Sequence, residues 1–221
     1  GIADFFIADS WASPLGRNQA GQVLVVFGQT HFAATFDLAS LNGTNGFAVN
    51  GKTANYFLGY TTGPAGDVNG DGVDDLLMSA GYQSGPAGAN VGGAYVLFGK
   101  SGAFAATVEL STINGSNGFV MYGVTVNEFL QNCSAAGDVN GDGYDDVILT
   151  SSNRSYIVYG RPSFGASVEL AGLLAANGGD GSAGYVLNAS TAKFGAGIGD
   201  VNGDGLDDVR ISCTDVSSNG L

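Results

Sequence analysis

The chain has 221 residues, among them 38 Gly, 20 acidic and 7 basic residues, and carries a formal charge of −13 although only 12% of it is charged. So few Lys and Arg exclude nucleic-acid binding through a basic footprint, and glycines without a three-residue period exclude collagen. A hydrophobic content of 44% argues against disorder, and no apolar run reaches the roughly 18 residues of a membrane-helix candidate.

Glu, Lys and Arg are scarce, while Gly, Ser, Thr, Asn, Val, Tyr and Phe abound, which favours short strands joined by glycine-rich turns. In chain order, "DFFIA" from Asp4 predicts a strand, "VLVVFG" (23–28) a second and "GFAVNG" (46–51) a third. Residues 56–65 predict a strand that enters an acidic loop, and "DLLMSA" from Asp75 predicts the strand that leaves it. "AYVLFG" (94–99) and the end of "VELSTINGSNGFVMYG" (108–123) repeat the second and third types. The order then recurs: a strand over 128–136, an acidic loop, "DVILTS", "SYIVYG" (155–160) and a degenerate "VELAGLLAANGGDGSAGYVLNA" over 168–189. A last strand over 192–198 leads through a third loop into "DVRIS".

The string Gly-Asp-Val-Asn-Gly-Asp-Gly-x-Asp-Asp occurs at 66–75, 137–146 and 199–208, and the N-terminal Gly1-Ile2-Ala3-Asp4 aligns with its second half at Gly72–Asp75. From Asp67 to Asp138 is 71 residues, and from Asp138 to Asp200 is 62. Repeats of this length, each built of four strands, predict an all-β fold of propeller blades; a solenoid has shorter coils, and a β-sandwich would not repeat its own sequence. The predicted units are a partial blade over 1–55 (strands two to four), full blades over 56–127 and 128–191, and the start of another over 192–221.

The acidic loops carry the chemistry. In the first, oxygen-bearing side chains fall at positions 1, 3, 5 and 9, as Asp67, Asn69, Asp71 and Asp75, and the carbonyl of Val73 falls at position 7. Asp138, Asn140, Asp142, the Tyr144 carbonyl and Asp146 repeat the set, as do Asp200, Asn202, Asp204, the Leu206 carbonyl and Asp208. A hard cation needs six to eight converging oxygens, and glycines at positions 4 and 6 permit the turns that aim them. Without soft ligands zinc and copper are disfavoured. Magnesium prefers octahedral sites that keep water, so calcium is expected, at three sites. An EF-hand would need Glu at position 12 and flanking helices, but position 12 is Met78, Leu149 and Ile211, and the flanks look like strands. Position 8 (Asp74, Asp145, Asp207) falls outside the ligand set and is expected to take backbone hydrogen bonds or to support the ligands from behind. The three loops hold twelve of the twenty acids, and three divalent ions would change −13 to −7.

The loop, the apolar strand after it and the Phe-Gly ends at Phe27-Gly28 and Phe98-Gly99 resemble the FG-GAP repeats of integrin α-subunit propellers and of bacterial surface proteins. The chain departs from that pattern where Gly-Ala-Pro usually closes the second strand, with "ADS" at 8–10, "SAG" at 79–81, "TSS" at 150–152 and "SCT" at 212–214. The resemblance implies calcium loops on one rim. On the opposite face it places the loops Ser10–Gly21, Gly81–Gly92 and Ser152–Arg154, and the connectors near 50–55, 123–127 and 188–191. Family partners bind mainly on that face. Its loops vary between copies here, and Trp11, Arg17, Tyr82 and Gln83 are the expected contacts, because large amphipathic side chains anchor interfaces.

About three blades do not close a ring of four to eight, so the expectation is a segment of a longer array or an oligomer with strand pairing between copies. Catalysis is not expected, since the lone His31 lies in a loop with no nucleophile motif. Cys133 and Cys213 fall at non-matching places in the repeat and suggest incidental residues rather than a disulfide framework. Asn42, Asn114, Asn132, Asn153 and Asn188 begin glycosylation sequons. The functional expectation is an extracellular calcium-binding module for adhesion to, or recognition of, a protein or glycan. The alternatives are a structural subunit of a self-assembling surface fibre or layer, and an appended domain of a larger secreted enzyme.

Overall fold

The computed structural model describes residues 2–152, 154–188 and 192–213. Of the expected features, the end of the last segment (214–221), sequon Asn153 and connector residues 189–191 lie outside the described residues. The strands are β1 (Phe5–Asp9), β2 (Gln22–Val26), β3 (Gly46–Asn50), β4 (Leu58–Gly66), β5 (Asp75–Ala80), β6 (Gly93–Leu97), β7 (Thr107–Glu109) and β8 (Gly118–Tyr122). They continue as β9 (Asn132–Gly137), β10 (Asp146–Thr150), β11 (Arg154–Val158), β12 (Ser167–Glu169), β13 (Gly184–Asn188), β14 (Ala192–Gly199) and β15 (Asp208–Cys213). Helix among the described residues is limited to short 3-10 turns.

β4-β5-β6-β8 and β9-β10-β11-β13 are four-stranded antiparallel meanders. β1-β2-β3 and β14-β15 are shorter pieces of the same pattern. Two short strands go beyond the expected four per repeat. β7 leaves its own repeat to pair in parallel with β3, setting Val108 opposite Val49, and β12 does the same on β8, with Val168 opposite Met121. The outer strands β3 and β8 are thereby covered by strands lent from the following repeat and are no longer sheet edges.

Side chains alternate between sheet faces with period two, and here both faces are buried. Leu77, Val96 and Phe119 turn one way and meet Val147, Leu149 and Tyr156 of the next sheet. Their neighbours Met78, Tyr95 and Val120 turn the other way and meet Val23, Phe47 and Val49 of the sheet before. The pattern advances one sheet at Ile148 and Ile157, which pack against Val209 and Ile211. The near-continuous apolar runs of β5, β6, β10 and β11 follow from this two-sided burial.

The Phe-Gly ends join a second, repeated cluster. Phe47 stacks on Phe104 with centroids 4.1 Å apart, and Phe27 packs edge-on against Phe47. One repeat later Phe119 stacks on Phe164 at 4.0 Å beside Phe98. Lys100 and Arg161 each lie 4.6 Å from the ring centre of Phe104 and Phe164, within cation–π range.

Candidate metal centre

Each acidic loop joins the first and second strands of a sheet: 67–74 lies between β4 and β5, 138–145 between β9 and β10, and 200–207 between β14 and β15. The flanks are strands, as expected, and not the helices of an EF-hand. One hydrogen-bond pattern coils all three. Asp67 takes the amides of Gly70 (2.8 Å) and Asp71 (3.0 Å) on Oδ1 and that of Gly72 (2.8 Å) on Oδ2. Asn69 Oδ1 accepts from Asp71 N at 2.8 Å, and Asp71 Oδ1 from Val73 N at 3.0 Å. Asp138, Asn140, Asp142 and Tyr144 reproduce every one of these bonds. Asp200, Asn202, Asp204 and Leu206 reproduce them again.

The glycines make this coil possible. At position 4, Gly70, Gly141 and Gly203 have φ of 74°, 77° and 79°; at position 6, Gly72, Gly143 and Gly205 have 88°, 89° and 90°. A side chain at such φ is strained. The agreement to within a few degrees shows one backbone solution written three times.

Position 9 closes the loop onto the sheet. Asp75 is 3% exposed and accepts from Val68 N (3.1 Å) and Gly99 N (2.8 Å). Asp146 is fully buried and accepts from Val139 N (3.0 Å) and Gly160 N (2.8 Å). Asp208 takes Val201 N at 2.9 Å. Asp4 keeps the remnant of this arrangement, with Gly28 N at 2.7 Å from its Oδ1. Burial pushes the carboxyls of Asp75 and Asp146 up to about 7, against the pull of those amides. Asp200 is held below the usual carboxylate range, chiefly by the amide of Gly205.

The donors are hard oxygens alone, which fits calcium and fits neither zinc nor copper. A carboxylate oxygen holds two lone pairs, so Asp67 Oδ2, Asp71 Oδ1 and both oxygens of Asp75, each accepting one amide, keep capacity for a cation. As they stand, no three His, Cys, Asp or Glu side chains among the described residues gather tightly enough to hold an ion. The coil and the donor set are formed, and closing on an ion would require drawing Asp67, Asp71 and Asp75 inward.

The four expected contact residues separate on the opposite rim. Trp11 is 66% exposed and Tyr82 39%. Arg17 pairs with Glu109 at 2.6 Å, and Glu109 also accepts from Asn50 at 2.7 Å, so Arg17 ties a loop to the β3–β7 edge. Gln83 corrects the expectation: it is 1% exposed and accepts the Tyr95 hydroxyl at 2.6 Å inside the sheet. An amide that satisfies a buried phenol is not available to a partner.

Two residues missed from the sequence complete the rim. Trp11, Phe57, Tyr82 and Phe129 form an unbroken row, with successive centroids 5.3, 5.0 and 5.2 Å apart. Phe57 (φ 55°) and Phe129 (φ 52°) stand in the left-handed region, as do Asn55 and Asn127 just before them. Backbone bonds hold each turn on the preceding loop, Phe57 N to Gln19 O and Phe129 N to Asn90 O. The signal was present: Asn-x-Phe occurs at 55–57 and again 72 residues later at 127–129.

His31 is exposed. Cys133 and Cys213 are free, and burial raises the Cys133 thiol to about 12 beside Thr61. No helix among the described residues is long and apolar enough to cross a membrane. The FG-GAP repeat family model matches residues 134–170, from β9 through the second loop to the end of the short strand β12 and the turn after it. No curated protein matches the chain.

Proposed function

We propose that the chain is a calcium-stabilised, non-catalytic recognition module of the β-propeller type, working outside the cell, where millimolar calcium suits such loops. The observation that carries this reading is the threefold identity of the acidic coils, in which four amides make the same five hydrogen bonds to the same three side chains in each copy. A solvated acidic turn has no reason to keep Asp, Asn, Asp and Asp in register, because four carboxylates at close range repel one another. A cation bound by positions 1, 3, 5 and 9 and the position-7 carbonyl relieves that repulsion and locks the hairpin between the first two strands. Blades of one FG-GAP type, stacked face to face through two-sided cores, are the building plan of a propeller.

Recognition is assigned to the rim away from the loops. There Trp11, Phe57, Tyr82 and Phe129 offer a continuous aromatic surface in which Phe57 and Phe129 stand on strained backbone, and strain of about 1–3 kcal/mol per residue persists where structure around it enforces it. Aromatic anchors of this kind serve protein and glycan partners alike.

Isothermal titration of the full chain with calcium, and separately with magnesium, tests the metal assignment. The expected result is three calcium ions per chain with magnesium much weaker. No heat with calcium, and an identical melting curve in EDTA, would overturn it. For the rim, a glycan array and a panel of extracellular-matrix proteins probed with the calcium-loaded chain should yield binding that Trp11→Ala and Tyr82→Ala abolish without moving the melting curve.

A further inference from the structure

Neighbouring acidic loops touch each other, and they do so twice in the same way. Asp145, at position 8 of the second loop, accepts from Asp67 N, at position 1 of the first, with Oδ2 2.8 Å away. Asp145 N returns a bond to Asp67 O at 3.2 Å. Asp207 of the third loop repeats the pair on Asp138, with 3.0 Å to Oδ2 and 3.1 Å for the return bond. The preceding glycines make room for the carboxylates: a Cβ on Gly66 would stand 2.3 Å from Asp145 Oδ2, and one on Gly137 2.0 Å from Asp207 Oδ2.

A second contact runs parallel to the first. The position-7 side chain of one loop lies on the position-4 glycine of the loop before it. A Cβ on Gly70 would meet the Tyr144 ring at 2.4 Å, and one on Gly141 would meet Leu206 at 2.8 Å. The first ligand residue of the first and of the second loop is therefore held by the residue that sits between the last two ligand positions of the next loop.

We propose that Asp145 and Asp207 are positioning residues that couple adjacent loops, so that a cation in one loop raises the affinity of the loop before it. This rests on the calcium reading above. An ion held by Asp142, the Tyr144 carbonyl and Asp146 would order the backbone on both sides of Asp145. The ordered carboxylate then holds the Asp67 amide, and with it the residue on which three further amides of the first coil converge. The Asp145 side chain makes its bond outside its own coil, so its role differs from that of a ligand. Coupling of this kind is reciprocal.

Calcium titration of the full chain followed by NMR tests it, with the amides of Gly72, Gly143 and Gly205 each reporting one loop. Asp142→Ala, which cripples the second loop without touching the first, should weaken calcium binding at Gly72 by at least about fivefold. In an Asp145→Ala background the same change should make no further difference at Gly72. Asp145→Asn, which keeps an acceptor oxygen, should retain the coupling, and its loss there would overturn the hydrogen-bond assignment. In calcium-free protein the Asp67 amide should exchange slowly, and quickly in Asp145→Ala. Calcium shifts at Gly72 with unchanged affinity in Asp142→Ala overturn the coupling alone, and that arm decides the matter even where Asp145→Ala does not fold. Absence of calcium shifts at all three glycines overturns the calcium reading and the coupling together.

Discussion

Gly99 donates its amide to Asp75 Oδ1 at 2.8 Å, so the end of one strand holds the last acid of the loop that precedes it by two strands. A Cβ on Gly99 would lie 2.2 Å from the Asp74 carbonyl oxygen, a backbone atom with nowhere to move. The glycine of the Phe-Gly pair is thus demanded by close approach to the acidic loop, while its Phe98 neighbour packs against Phe119 and Phe164. Gly99→Ala should destabilise the chain by about 1–3 kcal/mol through overpacking and weaken cation binding at the first loop. Gly63→Ala has nothing within 4 Å of its new methyl and serves as control. Thermal melts and calcium titrations of the two variants check the contrast.

Much of this was legible in the sequence, and what was hidden has a common cause. The strands and loops follow from local pattern: β5 is "DLLMSA" and β6 lies within "GGAYVLFG", and the loops carry their glycines at fixed positions. Pairings between repeats leave no such local trace. Nothing in "VEL" at 108–110 says that Val108 will sit opposite Val49 of the preceding repeat. Nothing in Gln83 says that a phenol twelve residues on, Tyr95, will draw it inward. Asp145 reads as an acceptor of backbone hydrogen bonds, but that its donor would be Asp67 depends on how two sheets stack.

Removing metal should loosen the hairpins before the cores. In excess EDTA the repulsion among the four acids of each loop is unscreened at short range, while the cluster around Met78 contains no residue of the loops and that around Leu149 takes only Val68 from them. The melting temperature should fall in EDTA and return with added calcium. Hydrogen exchange should quicken first at Gly70–Val73 and Gly141–Tyr144, and last in β6 and β11. Uniform acceleration across strands and loops would contradict this order.

The raised carboxyls give stability a pH dependence of definite sign. Asp75 and Asp146 move from 3.8 to about 7 because burial disfavours their charge. Between about pH 4 and 7 the folded chain holds protons that the unfolded chain has released, so metal-free stability declines as pH rises through that window. Protons and calcium compete for the same oxygens, so calcium affinity should weaken as pH drops below about 7. Melts in EDTA at pH 5 and pH 8 should therefore favour pH 5, and melts in saturating calcium should not. Asp75→Asn with Asp146→Asn should flatten the EDTA profile.

Glu128 is the buried acid with the most to lose. It is 3% exposed and sits in the connector before β9, one residue from Phe129. Its Oε2 accepts from Val124 N at 2.6 Å and Thr125 N at 2.9 Å, and its Oε1 accepts the hydroxyl of the fully buried Tyr156. The acid therefore ties the turn that presents the aromatic rim to the centre of the third sheet. Glu128→Ala strands these donors, and each buried donor left without an acceptor costs about 1–3 kcal/mol. A chain of this size loses about 2–4 °C in melting temperature per kcal/mol, so the drop should be large and independent of calcium. Glu128→Gln keeps one carbonyl acceptor and should lose distinctly less. Equal losses in the two variants would show that the negative charge, and not the acceptor geometry, holds the connector in place.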